Sequence, residues 1–169
     1  MTDADLAISV RPGRLEDVAA EAELHRSVEW CYDERATLAE YHDDAYEPSS
    51  VLIAESDGEV VGKLELFIAW KSTHGSFALI RRFVVADGWR GKGVGTRLLD
   101  AAEARAREQG CAFMELTVDV TNPEAHAFYK RTGFTEDRVE VVMRRPLDGE
   151  PHPSDFAARA DPTTFTGEF

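Results

Sequence analysis

The sequence predicts a single α+β (mixed α/β) domain with a central, mixed, mostly antiparallel sheet and helices on its flanks. A tight-turn signal, Asp57-Gly58, joins two runs rich in β-branched residues and so predicts a hairpin. After Val85 helical and strand patterns alternate, which is typical of a parallel strand pair and its crossover helix. The length of 169 residues suits one domain with its own core.

The first half of the chain predicts an antiparallel meander with two helices near its start. An amphipathic helix is expected at about 15–28, with acidic residues in its first turn, and a weaker helical segment at about 33–41. The predicted strands are 7–12, 51–56, 59–70 and 77–85. Short connections between the last three strands make antiparallel neighbours of them.

The second half predicts alternating helices and strands, in the order helix 93–109, strand 112–118, helix from Pro123 to about Gly133, and strand 139–145. The strand that ends at Val85, the first of these helices and the strand 112–118 form a βαβ unit with parallel strands. The domain is therefore expected to span 1–145. The remaining segment, 146–169, has four prolines, and we expect a tail that is disordered or docks on a partner surface.

The charge balance excludes some classes of partner. The net charge is −13, with 32 acidic and 19 basic residues, which disfavours nucleic-acid binding across a basic face. No apolar run approaches the length of about 20 residues that a transmembrane helix needs. Cys31 and Cys111 are far apart and the five histidines show no ligand spacing, so we expect no metal site and a cytoplasmic location.

The stretch WRGKGVGTRLL, 89–99, concentrates glycine and positive charge between a predicted strand and a predicted helix. A helix that begins near Gly93 presents unpaired backbone N–H groups and the positive end of its dipole. Glycines let a ligand approach this backbone, and Arg90 and Lys92 add charge. The pattern predicts a phosphate or pyrophosphate site, and a glycine-rich turn with solvated arginines is the alternative.

Two nucleotide-binding patterns do not match this turn. A P-loop has Ser or Thr after its lysine, whereas Gly93 follows Lys92. The dinucleotide fingerprint G-x-G-x-x-G needs a third glycine where the chain has Thr96 or Leu98, and it belongs to a parallel sheet. A nucleotide-binding domain stays an alternative that these spacings disfavour.

The turn resembles the pyrophosphate motif of the GNAT superfamily of N-acetyltransferases, which bind acetyl-CoA. That motif is Arg or Gln, two residues, Gly, one residue, and Gly or Ala, and Arg90, Gly93 and Gly95 match it. A second block, LTVDVTNPEAHAFYKRTGF, is similar to the strand, asparagine, helix and Tyr-x-x-x-Gly-Phe sequence of the family. Its matching residues are Leu116, Val118, Asn122, Ala125, Tyr129, Gly133 and Phe134.

The resemblance implies a GNAT-like fold in which the strand ending near Val85 and the next strand splay apart, with acetyl-CoA in the gap. The pantetheine arm would pair with the first strand, and a backbone N–H near Val85 would meet the thioester oxygen. Tyr129 matches the residue that protonates the departing CoA thiolate, with aromatic packing as its alternative role. The residues expected to bind the cofactor are Phe83, Val84, Val85, Arg90, Gly91, Lys92, Gly93, Val94, Gly95, Thr96 and Asn122.

An amine acceptor must lose a proton before it reacts. With an ordinary amine pKa of about 10.4, only about one molecule in 2,500 is neutral at pH 7. Glu65, Glu115 and Asp119 lie on predicted strands or strand ends, where a carboxylate could take the proton directly or through water. Each is otherwise a solvated strand residue, and Glu115 is the first choice as catalytic base.

The acceptor is expected to be a cationic small molecule or a protein amine. Residues 1–47 hold 13 acidic and four basic side chains, which favours a polyamine, an aminoglycoside or a protein amine. Trp30, Tyr32 and Glu65 are the candidate substrate-binding residues, with core packing as the alternative for the two rings. We expect no nucleic-acid or membrane partner, and a homodimer is compatible with the sequence. A catalytically silent acyl-CoA-binding or regulatory module is the alternative function.

Overall fold

A computed structural model describes residues 7–28, 32–42, 51–143, 145 and 147. The predicted tail, apart from Leu147, lies outside these residues. Among them, no helix combines the length and the apolar character that crossing a bilayer requires.

The described residues form five strands and four α-helices. The strands are β1 (Ile8–Pro12), β2 (Val51–Ser56), β3 (Glu59–Lys71), β4 (Gly75–Val85) and β5 (Met114–Leu116), and the helices are α1 (Val18–Ser27), α2 (Glu34–Tyr41), α3 (Val94–Glu108) and α4 (Pro123–Arg131). The strands form one sheet in the order β1-β2-β3-β4-β5, antiparallel except for the parallel pair β4 and β5. The predicted α+β class and the predicted meander are confirmed.

Local residue chemistry explains where these elements begin and end. Asp57 (φ 51°) and Gly58 (φ 82°) both adopt the left-handed conformation that a two-residue hairpin turn between β2 and β3 needs. Gly110, with φ 70°, follows α3. Asn122 caps α4 through its side chain, and Pro123 occupies the first turn, where its missing N–H costs nothing.

The core lies mainly between the sheet and α3. Leu64 and Leu66 of β3 pack with Leu98 of α3, and all three side chains are buried. Gly62 makes this close approach possible, because a Cβ there would lie 2.8 Å from Cγ1 of Val94. We call this side of the sheet the α3 face.

The opposite side of the sheet is covered by α1 and is called the α1 face. Leu24 and Val28 pack there against Val84 of β4. Because side chains alternate along a strand, successive residues within β3, and within β4, point alternately to the α3 face and to the α1 face. The α1 face also holds the buried charged residues described below.

The strand predicted at 139–145 is wrong for the residues that can be compared. Residues 139–143 lie outside helices and strands. Val139, Val141, Val142 and Met143 are between 73% and 90% exposed. β-propensity expresses packing against neighbouring strands, so an apolar run that pairs with none does not become a strand.

Candidate active site at the β4–α3 junction

β4 contains a bulge at Arg82. Glu65 of β3 pairs with Arg81, and Lys63 pairs with Val84, so β4 holds one extra residue between these two pairs. Arg82 has φ 44°, a conformation that a non-glycine residue adopts only when its surroundings require it. A bulge bends a strand and changes the side to which the following groups point.

The bulge redirects the backbone N–H groups at the end of β4. The N–H of Ala78 donates to the carbonyl of Phe113 at 3.0 Å, toward β5, whereas the N–H of Ala86 donates to the carbonyl of Val61 at 3.0 Å, toward β3. In a regular strand both even-numbered residues would donate to the same side, because successive N–H groups alternate. The N–H of Val85 therefore points toward the side of β5.

β4 and β5 separate before that N–H is reached. Their parallel pairing joins 78–80 with 114–116 and goes no further, while β4 itself continues to Val85. No other described strand lies beside the end of β4 on that side. The pairing thus ends before Val85, as the expected splay requires, and no described strand lies beside Val85 on the side to which its N–H is inferred to point.

The turn between β4 and α3 exposes its backbone. Gly91 has φ 75° and Gly93 has φ 81°, conformations that carry no steric cost for glycine. A Cβ built on either glycine would meet no atom within 4 Å, so the space above them is open. Gly93 is the N-cap of the 15-residue helix α3 and supplies no side-chain cap, so the first N–H groups of α3 remain for a ligand. A phosphate or pyrophosphate fits this turn.

Val94 and Gly95, the next residues of the turn, offer a ligand their main chain only. The side chain of Val94 is buried in the core. A Cβ on Gly95 would lie 3.1 Å from Cζ of Phe128, so this glycine allows α4 to pack against the start of α3. Thr96 is exposed on the first turn of α3.

The two basic residues of the turn already have partners within it. Nη2 of Arg90 lies 2.9 Å from Oδ1 of Asp87, with the Arg90 side chain 52% exposed. Nζ of Lys92 lies 5.2 Å from the ring centroid of Trp89. Exposed pairs of this kind are weak, so an anion can compete for Arg90.

Tyr129 lies in an aromatic cluster beside β4. Its ring centroid is 6.2 Å from that of Phe83, 5.4 Å from that of Phe128 and 5.6 Å from that of Phe134. Burial raises the pKa of Tyr129 to about 12, so the hydroxyl keeps its proton at neutral pH. Packing and proton donation are compatible, because the ring makes the contacts and Oη carries the proton.

Asn122, which was predicted to bind the cofactor, has a structural role at the start of α4. Its Oδ1 accepts a hydrogen bond from the N–H of Ala125 at 3.1 Å, which caps α4. This contact uses only the amide oxygen, so the amide NH₂ group can still donate to a cofactor or a water molecule. Asp119, just before it, accepts at Oδ1 from the N–H of Thr121 at 2.8 Å and shapes the turn after β5.

Glu115 is ion-paired on the α1 face. Its Oε2 lies 2.6 Å from Nζ of Lys71, and the two side chains are 29% and 34% exposed. Its neighbours Met114 and Leu116 pack on the α3 face, so alternation places Glu115 on the other side. Tyr129, by contrast, contacts Phe83, which packs on the α3-face core.

A buried ion cluster of Glu21, Lys63 and Glu65 lies on the α1 face. Nζ of Lys63 contacts Oε2 of Glu21 and lies 2.9 Å from Oε1 of Glu65. The side chains of Lys63, Glu21 and Glu65 are 1%, 0% and 9% exposed. The hydroxyls of Tyr32 and Tyr41 donate to Glu21 at 3.0 Å and 3.2 Å. Glu65 and Tyr32, two of the residues predicted to bind the amine substrate, thus belong to the same cluster.

The surroundings of the buried ion cluster carry further positive charge. Nη1 of Arg82 lies 3.4 Å from Oε1 of Glu65, and the Arg82 side chain is 51% exposed. His25 packs its ring 4.7 Å from that of Tyr32. Burial, with Lys63 and Arg82 nearby, lowers the pKa of His25 to about 3, so this imidazole is neutral. Trp30 and Cys31 lie outside the described residues.

The sequence profile of the acetyltransferase (GNAT) family matches residues 16–134. The chain belongs to the GNAT family of acetyltransferases. It is 33% identical over 122 residues to aminoglycoside N(6')-acetyltransferase type 1 of Klebsiella aerogenes, covering 69% of this chain and 80% of that protein. It is 34% identical over 91 residues to aminoalkylphosphonate N-acetyltransferase of Salmonella typhimurium, covering 53% of this chain and 59% of that protein.

The fold of this GNAT protein is also shared with solved structures. Aminoglycoside N-acetyltransferase AAC(6')-Iy in complex with CoA matches it with a TM-score of 0.70 over 86% of this chain and 99% of that one, at 18% identity. An identity this low shows the fold alone. Together with the family match, the predicted enzyme class, an N-acetyltransferase, is confirmed.

Two residues of this acetyltransferase, Glu21 and Lys63, were missed by reasoning from the sequence. The signal was present: Lys63 interrupts the apolar strand EVVGKLELFIAW, and Glu21 occupies the same helical stripe as the buried Val18 and Leu24. A charge at a buried position needs a partner of opposite sign. The two are 42 residues apart, so only the fold shows that they are each other's partner.

Proposed function

We propose that this N-acetyltransferase takes its acetyl group from acetyl-CoA and transfers it directly to the nitrogen of a positively charged amine. The proposal is supported above all by the junction of β4 and α3, where the bulge turns the N–H of Val85 away from β3 and the open glycine turn follows. When bound, acetyl-CoA supplies the acetyl group as an activated thioester. The likeness in fold to an acetyltransferase solved with CoA supports this choice of donor.

Different residues at the junction bind acetyl-CoA and activate its thioester. The backbone N–H groups of Gly91 and of 93–95 bind the pyrophosphate, whereas that of Lys92 already donates to the carbonyl of Trp89, and Arg90 exchanges Asp87 for a phosphate oxygen. The N–H of Val85 donates to the thioester oxygen and stabilises the charge that develops there. Tyr129 keeps its proton at neutral pH and donates from Oη toward the departing sulfur.

The acceptor is an amine that carries positive charge. The relatives named above acetylate an aminoglycoside or an aminoalkylphosphonate by name, and each of these compounds contains an amine. The acidic character of the chain and the carboxylates of the α1 face favour a cation. Glu115, ion-paired with Lys71, is the proposed acceptor of the proton that the amine must lose; its strand partner Leu79 lies six residues before Val85, so the proton has to reach it through water.

The proposal is tested by turnover on a panel of amines. Purified protein is incubated with acetyl-CoA and a polyamine, an aminoglycoside or a lysine-containing peptide, and free thiol release is followed together with the mass of the product. We expect acetyl-CoA-dependent N-acetylation of at least one polycationic amine. Binding of acetyl-CoA without turnover on any amine would instead favour a silent acyl-CoA-binding module, and absence of binding would show that the donor is wrong.

A further inference from the structure

The buried ion cluster carries an unbalanced charge. Glu21 and Glu65 contribute two carboxylates and Lys63 one ammonium, so one negative charge is left when all three are ionised. The negative charge of Glu21 is compensated, because Lys63, Tyr32 and Tyr41 all donate hydrogen bonds to its carboxylate. The uncompensated charge therefore falls on Glu65, whose side chain is only 9% exposed. A buried charge without full compensation is costly.

Arg82 compensates this charge only weakly. Its Nη1 lies 3.4 Å from Oε1 of Glu65, at the long limit of a hydrogen bond, and half of the Arg82 side chain is exposed. The contact exists because of the bulge: in a regular strand, residue 82 would point away from the face that Arg81 serves. Among the described residues, the cations that contact Glu65 both approach Oε1. Oε2 can accept a further donor.

The position of Glu65 excludes it as the site of the reacting nitrogen. Glu65 pairs with Arg81, whereas Val85 pairs with Gly62, three residues further along β3. At a rise of about 3.3 Å per residue, Glu65 lies roughly 10 Å along the strand from the N–H of Val85. The nitrogen that is acetylated must also be neutral, and a carboxylate holds an amine in its charged form. A cation at Glu65 is therefore a second group of the acceptor.

We propose that Glu65 determines the acceptor specificity of this enzyme by binding a second ammonium group of the acceptor in place of the Arg82 guanidinium. The inference rests on the proposed function. An ammonium at Glu65 completes the charge balance of the buried ion cluster and lets Arg82 turn to solvent. Lys63 and Glu21 are positioning residues that hold the carboxylate of Glu65. The enzyme accordingly prefers diamines and larger polyamines to monoamines.

A pair of acceptors that differ by one ammonium tests this specificity. We compare kcat/KM for cadaverine and for pentylamine, which share a five-carbon chain, in the wild type and in Glu65→Gln. The wild type should prefer cadaverine by about ten- to a hundredfold, the range for a hydrogen-bonded charge pair. In Glu65→Gln this ratio should fall close to one. Glu55→Gln is the matched control, because Glu55 is also ion-paired on the α1 face, with Arg11, but lies on β2 away from the gap. Its ratio should equal that of the wild type.

A second variant keeps the test independent of the folding of Glu65→Gln. Arg82→Gln removes the competing cation from a half-exposed side chain and should lower KM for cadaverine. A cadaverine preference that survives in Glu65→Gln, or a higher KM for cadaverine in Arg82→Gln, would overturn the inference. If the wild type acetylates both amines equally well, the proposed function stands and this inference fails. If it acetylates no amine, the proposed function fails and the inference falls with it.

Discussion

Removing the Lys63 charge should be far more damaging than removing a comparable charge at the surface. Lys63→Met keeps the length of the side chain and leaves Glu21 and Glu65 without their shared cation. Breaking a buried ion pair from one side costs about 3 to 5 kcal/mol. Since small domains have about 5 to 15 kcal/mol of unfolding free energy in total, the variant should be close to unfolding. The free energy of unfolding is measured by urea titration with linear extrapolation.

Lys71→Met is the matched control. Lys71 lies on the same strand and the same face and pairs with Glu115 at 2.6 Å, but the two side chains are about one third exposed. Its contact with the ring of Phe77, 4.3 Å from the centroid, adds a weak cation–π term. Together these contacts are worth about 1 kcal/mol. Equal losses for the two lysine variants would refute the argument that burial sets the cost.

A second substitution tests the same argument through the direction in which it changes the stability of Lys63→Met. In Glu21→Gln/Lys63→Met the uncompensated Glu21 charge is gone, while the amide can still accept hydrogen bonds from Tyr32 and Tyr41. The double variant should therefore be more stable than Lys63→Met alone. If the second substitution lowers stability further, the unpaired charge is not the cause of the loss.

Two further substitutions, His25→Phe and Tyr129→Phe, each test the role of one side-chain proton, the first in stability and the second in catalysis. Burial and the nearby Lys63 and Arg82 lower the pKa of His25 to about 3, so below about pH 6.5 only the unfolded chain gains its proton. The wild type should thus lose about 2 kcal/mol of unfolding free energy between neutral pH and pH 5 that His25→Phe does not lose. Parallel pH dependences in urea titrations would argue against this. Tyr129→Phe keeps the aromatic packing and should lower kcat about ten- to a hundredfold at unchanged affinity for acetyl-CoA. Unchanged kcat would leave Tyr129 a packing role only.

Elements with local determinants were predictable from the sequence. The Asp57-Gly58 turn, the glycine before α3 and the Asn122-Pro123 start of α4 each fix the backbone through the residue itself. The open turn at Gly93 follows from the same signals, because a helix N-terminus with glycines exposes N–H groups wherever it lies. These signals predicted the fold class and the turn at which we propose that an anion binds.

Features that depend on residues distant in sequence were not predictable in this way. Arg82 carries no sign that it will adopt φ 44°, since its conformation is imposed by pairing between β3 and β4. The buried ion cluster joins α1 to β3, and neither helix nor strand pattern states which charges will meet. The prediction of a strand at 139–143 was wrong because the local pattern is that of a strand, but no described strand pairs with it.

The central claim, that the open turn before α3 binds the pyrophosphate of acetyl-CoA, is tested most directly by calorimetric titration of acetyl-CoA into Gly93→Ala and Gly110→Ala. The two glycines lie at opposite ends of α3, have φ of 81° and 70°, and leave open space around an added Cβ. Both substitutions therefore impose the same backbone strain. We predict that Gly93→Ala weakens acetyl-CoA binding about tenfold or more, the effect of losing one charge-assisted hydrogen bond. Gly110→Ala should bind like the wild type. Wild-type affinity in Gly93→Ala would contradict the claim.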